Sequence, residues 1–145
     1  MATERRADVR WQGSLLEGSG TIDSTTSGAF GGLGVTWKAR SEDEHGGLTS
    51  PEELIAAAHA SCFAMALSHA LAQAGHPPEQ LDTSAAVTFV PGTGITKSAL
   101  TVVGRVPGID EAEFQEAASS AKDGCPVSGA LTGNVELTLD ARLQN

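Results

Sequence analysis

Two cysteines, Cys62 and Cys125, are the residues of this chain whose chemistry stands out. A thiolate is a nucleophile, a metal ligand and one half of a disulfide. Cys62 stands in His59–Ala60–Ser61–Cys62–Phe63, inside a long apolar run. Cys125 stands in Gly124–Cys125–Pro126, where the following proline holds it extended and can start a helical turn. That puts Cys125 near an N-cap, where unpaired N–H groups stabilise a thiolate. Each cysteine also has a plain reading, Cys62 as a small buried hydrophobe and Gly–Cys–Pro as a turn. A metal reading places His59 and Cys62, three apart on one helical face, with Cys125 as third ligand. Zinc sites usually carry a tighter ligand pair on each side, and only half of that pattern is here. His45, His69 and His76 fall at a loop, a core edge and a helix exit, and His59 reads as a satisfied core histidine.

Composition narrows the chemistry further. The chain has 145 residues, enough for one domain, and a formal net charge of −9. Its nine Lys and Arg are scattered, so no basic patch offsets the repulsion from a phosphate backbone or an anionic membrane. Met1 to Arg10 is charged and lacks the apolar core of a signal peptide. Leu54 to Leu71 is apolar but mostly Ala, carries His59 and His69, and follows Glu52 and Glu53, which suits a buried helix better than a membrane span. The expected compartment is the cytoplasm, where a cysteine pair is more often redox-active or metal-binding than structural.

The elements that must position the two thiols follow from the pattern. Asp8 to Gln12 alternates as a half-buried strand, Gly18 to Ser24 reads as a second strand, and Val35 to Arg40 alternates again. Residues 1–49 therefore form a small antiparallel β unit ending in the acidic, glycine-containing loop Ser41 to Thr49. Ser50–Pro51–Glu52–Glu53 is a strong helix start, with Glu53 placed to complete a capping box. The helix occupies 50–75 and ends at Gly75 before Pro77–Pro78. It is apolar nearly all round, as in a helix enclosed by other elements. Residues 80–145 add strands around Ala85 to Phe89 and from Ile95 to Val106, an amphipathic helix from Asp110 to Lys122, a short turn at Pro126 and a strand from Val135 to Leu143. The fold class is α+β.

Together these segments resemble the family of osmotically inducible protein C (OsmC) and the organic hydroperoxide resistance proteins. The matching residues are Pro51 through Leu67, including His59–Ala60–Ser61–Cys62–Phe63. To these are added Ile95–Thr96–Lys97, Val106–Pro107–Gly108–Ile109–Asp110, and Ala121–Lys122 through Gly124–Cys125–Pro126–Val127–Ser128. The resemblance runs over nearly the whole chain, is closer to the OsmC branch, and implies one OsmC-like domain over 1–145. It also implies antiparallel sheets wrapped around a long central helix in an intertwined homodimer, with sites at the subunit interface.

The same resemblance implies a peroxidase of oxidative and osmotic stress with Cys62 as the peroxidatic thiol and Cys125 as the resolving one. The family's carboxylate falls on Glu52 and its arginine on Arg40, because Glu17 to Gly20, where the other branch carries it, has none. Arg40 would lower the pKa of Cys62 and stabilise the departing alkoxide, and Glu52 would hold Arg40 by a bidentate pair. The substrate would be a hydroperoxide, with Phe63, Met65 and Trp37 as an apolar pocket or simply as core, and the reductant a dithiol of lipoyl type. No metal, haem or nucleotide is needed. Glu52 and Cys62 are about 15 Å apart along one helix and roughly 80° apart around it, so shared sites would draw on both subunits. The rival readings are a non-catalytic stress or small-ligand binding protein with incidental cysteines, and a metal-binding protein.

Overall fold

The computed structural model describes residues 1–145, which form two compact units, Met1–Leu54 and Ile55–Asn145. In the first unit β1 (Ala7–Gln12), β2 (Ser19–Thr25) and β3 (Leu33–Val35) make an antiparallel sheet in that order. The third strand is shorter than its alternation suggested. Thr36 leaves the sheet, its hydroxyl accepts from the N–H of Ala39, and Trp37–Ser41 becomes the short helix α1. A hydroxyl that can cap a turn outcompetes the weak β signal of the five further alternating residues, 36–40. β1 also differs from the expected half-buried strand, being exposed along its whole length.

The second unit is built on α2 (Pro51–Gln73), whose first turn, Pro51 to Leu54, belongs to the first unit. Ser50 Oγ accepts from the N–H of Glu53 as the sequence suggests, but the capping box is not closed. Glu53 instead accepts from the Thr49 hydroxyl. His59, Phe63, Leu67 and Leu71, four residues apart, line one buried face. The rest of the helix is not enclosed by this chain: of a stretch apolar and long enough to cross a membrane, 22% is buried, and Met65 is 72% exposed.

β4 (Gln80–Val90) pairs antiparallel with β5 (Gly94–Arg105), and α3 (Glu111–Gly124) and α4 (Pro126–Leu131) lead to β6 (Glu136–Leu143). β6 runs parallel to β5, a departure from the all-antiparallel expectation that follows from the two helices crossing over between them. α3 begins with a full capping box between Asp110 and Glu113. β5, the central strand, turns Ser98, Leu100, Val102 and Gly104 inward. They meet Phe63, Leu67 and Leu71 of α2 and Phe114, Ala118 and Ala121 of α3, and this core also takes in Cys125 and, at its edge, Cys62.

Candidate active site

Local structure explains where each thiol sits. Cys62 precedes Phe63 of the buried row by one position, so it lies at the margin of the core and is only partly buried. Cys125 is both the C-cap of α3 and the N-cap of α4, with φ −67° and ψ 126°, the extended conformation that Pro126 demands. It is 1% exposed. Cys62 packs against the core that contains Cys125, and each thiol acts on the ionisation of the other.

Their acidities move in opposite directions. Burial pushes the Cys62 thiol up, and the N–H of Val127, which favours the thiolate, does not offset burial plus the neighbouring Cys125. Burial acts on Cys125 too, but is outweighed by the N–H of Ser128, the Cys62 thiol, the Ser128 hydroxyl and the N–H of Val127, and its pKa is lowered. The N–H groups do not close a geometric cap hydrogen bond to the sulfur, so they act as oriented dipoles at the start of α4. The sequence signal for this was Gly–Cys–Pro itself.

The first unit holds the charged pair. Arg40, the fourth residue of α1, donates to Glu52 Oε1 from Nε at 2.9 Å and from Nη2 at 2.8 Å. This is two nitrogens on one oxygen, not the expected bidentate fork. Glu52 is buried, and its Oε2 has no hydrogen-bond donor in the chain. The helical turn at Thr36 is what frees Arg40 from the polar face of a strand and aims it at α2's first turn.

Of the four expected site residues, Cys62 meets Cys125 in one unit and Arg40 meets Glu52 in the other. Phe63, offered as a pocket residue, is core at 1% exposure. The residues that sequence reasoning missed are Ser98 and Ser128, whose hydroxyls lie 2.7 Å from His59 Nδ1 and 2.8 Å from its Nε2. With both ring nitrogens so engaged, His59 has no free lone pair for a metal, and burial lowers its pKa. The sequence shows Ser128 only as part of a motif, because its reach to His59 depends on how α4 docks on α2.

An α+β scaffold that brings a helix-embedded thiol against an N-cap thiol defines a class of paired-cysteine proteins. The OsmC-like protein family matches residues 44–140. The chain is 43% identical to the peroxiredoxin OsmC of Escherichia coli (strain K12), over 100% of both chains. It is 31% identical to organic hydroperoxide resistance protein OhrB of Bacillus subtilis (strain 168), over 72% of this chain and 76% of that one. The crystal structure of the Bacillus subtilis OhrB shares its fold, with a TM-score of 0.66 at 24% identity over 94% of this chain and 98% of that one. The chain belongs to the OsmC-like family.

Proposed function

We propose that the chain is a thiol-dependent peroxidase that reduces organic hydroperoxides, and hydrogen peroxide as well. The observation that carries this reading is the packing of Cys62 against the core that contains Cys125, close enough for each thiol to act on the other, although the sequence keeps them far apart. Its membership of a family whose relatives are named peroxiredoxin and organic hydroperoxide resistance protein supports it.

Cys62 is the attacking thiol. It is the more exposed of the two, whereas Cys125 lies behind it at 1% exposure. The Cys62 thiolate attacks the distal peroxide oxygen, the O–O bond breaks, and the products are a Cys62 sulfenic acid and an alkoxide that takes up a proton. Within the chain Cys62 is pushed toward its protonated form, so a cation must be added to activate it. The Arg40 guanidinium is that cation, with Glu52 as its anchor, and it also meets the negative charge developing on the leaving oxygen. Cys125, already the more acidic thiol, attacks the sulfenic sulfur and yields a disulfide and water. A dithiol, by the family resemblance of lipoyl type, returns the disulfide to two thiols by exchange.

The working form is a homodimer in the cytoplasm whose two units per chain act as one domain. Three features support a second copy. Glu52 Oε2 is buried without a donor, α2 leaves Met65 and much of its Ala-rich surface uncovered, and Val9, Trp11, Leu15, Leu16 and Phe30 are exposed. Helices packed about a twofold axis let Arg40 and Glu52 of one subunit serve Cys62 of the other. The test is intact mass and peptide mapping after one equivalent of cumene hydroperoxide. A loss of two hydrogens mapped to Cys62–Cys125, absent in Cys62→Ser, is expected. Two thiols that stay free would end the enzymatic reading and leave a binding protein.

A further inference from the structure

Beside the thiol pair lies a buried polar row that the peroxidase steps leave unused. His59, Ser98 and Ser128 are 0%, 0% and 1% exposed and come from α2, β5 and α4. Three polar side chains placed this deep, each on a different element, cost desolvation that core packing does not require. The row ends one helical turn from a thiol. Cys125 is the N-cap of α4 and Ser128 its third residue, positions whose side chains face one another across the first turn.

A neutral imidazole donates from one nitrogen and accepts at the other, so the two serines are tied to a single direction of hydrogen bonding. If Ser98 donates to Nδ1, then Nε2–H donates to Ser128 Oγ. The one proton of the Ser128 hydroxyl is then left for the sulfur of Cys125. In the opposite tautomer Ser128 would donate to Nε2 and offer the sulfur only a lone pair, which suits the thiol form. We propose that His59, held by Ser98, is a positioning residue that turns the Ser128 hydroxyl into a donor to Cys125 and so favours the thiolate of the resolving cysteine. The inference rests on the assignment of Cys125 as the resolving residue. The step it serves is balanced without a base. The Cys125 thiolate attacks the Cys62 sulfenic sulfur, the S–S bond forms, and the S–O pair leaves as hydroxide, which takes a proton to become water.

Besides the N–H groups of Ser128 and Val127 and the Cys62 thiol, few charged groups of the chain face Cys125. On α2 the titratable neighbours are Cys62 and His59, and at the end of α3 Lys122 is paired with Asp123. On β5, Lys97 alternates onto the face opposite Ser98. On β6 the charged Glu136, Asp140 and Arg142 are exposed while Ala141 turns inward.

The test titrates Cys125 by its ultraviolet thiolate absorbance in a Cys62→Ser background, where it is the one thiol. Ser128→Ala is expected to move the titration to higher pH and to lower the thiolate fraction at neutral pH roughly tenfold. Ser128→Thr, which keeps the hydroxyl, is expected to restore it. His59→Asn should move it in the same direction as Ser128→Ala, and if that variant fails to fold, Ser98→Ala provides the same readout with a smaller change. In the two-cysteine chain, stopped-flow measurement should show disulfide formation slowed relative to sulfenic acid formation, with its pH profile moved upward. A Cys125 titration unmoved by Ser128→Ala overturns the relay. A responsive titration in a protein that forms no Cys62–Cys125 disulfide overturns the resolving assignment and not the relay.

Discussion

Glu52 carries an unusual burden, and two substitutions there should separate its charge from its shape. Its Oε1 takes both bonds from Arg40, at 2.9 and 2.8 Å, while Oε2 is buried with no donor. In Glu52→Gln the acceptor toward Arg40 survives as a carbonyl. Each charge-assisted bond, with a net contribution of about 1.5–3 kcal/mol, becomes a neutral-acceptor bond nearer the low end of that range, so about 1–2 kcal/mol is lost in all. Against this, replacing a buried charged oxygen that lacks a donor within its own chain by a neutral amide recovers about 1–3 kcal/mol of desolvation. The two terms nearly cancel, and stability should change by no more than about 1 kcal/mol. Glu52→Ala removes the acceptor altogether. Because the Arg40 side chain is 30% exposed, water rescues part of its solvation, and the cost should be about 2–3 kcal/mol, below the 3–5 kcal/mol of a fully buried broken pair. The assay is urea unfolding at one fixed protein concentration, comparing midpoints only if the m-values agree. The rate of sulfenic acid formation under excess hydroperoxide should fall about tenfold in the first variant and about a hundredfold in the second, as the guanidinium loses its anchor. Equal destabilisation by Gln and Ala would refute the bookkeeping, and unchanged rates in both would remove Glu52 from the site.

Gly104→Ala should destabilise the protein by about 1–3 kcal/mol, because a Cβ there would lie 2.5 Å from two ring carbons of Phe114. Adding Phe114→Leu should recover part of that loss in thermal unfolding, and strict additivity of the two changes would show that the clash is not the cause. The thiols predict a pH profile of opposite slopes. Cys125 has a lowered pKa, so between that value and the ordinary thiol range the unfolded chain binds more protons and stability rises with pH. Cys62 has a raised pKa within the single chain, so in Arg40→Ala, which takes away the activating cation, the folded chain binds more protons above the ordinary thiol range and stability falls again. Urea midpoints measured across pH should show the rising limb, lost in Cys125→Ser, and in Arg40→Ala an added falling limb above the ordinary thiol range, lost again when Cys62→Ser is combined with it. Limbs unaffected by these variants would mean that other groups set the profile.

Much of the fold and half of the site could be read along the chain because their causes are local. Pro51 with Ser50 starts α2, Asp110 and Glu113 start α3, Pro126 makes Cys125 an N-cap, and the alternation from Glu136 to Leu143 makes β6 a strand. The acidity of Cys125 was legible for the same reason, since backbone N–H groups one turn ahead of a proline-set cap act at short range. Residues 36–41 were misread because a capping hydroxyl and an alternating pattern compete over the same few residues, and sequence alone does not weigh them.

Tertiary structure decided what no local rule reaches. The meeting of Cys62 with Cys125, the parallel pairing of β5 with β6, and the row from Ser98 through His59 to Ser128 all join residues distant in sequence. Hydrophobic burial drives those elements together without regard to which side chain faces which, and only the packed geometry selects the partners. The sequence by itself determined which thiol would sit at a helix start and which inside a helix; packing determined that the one restrains a proton on the other.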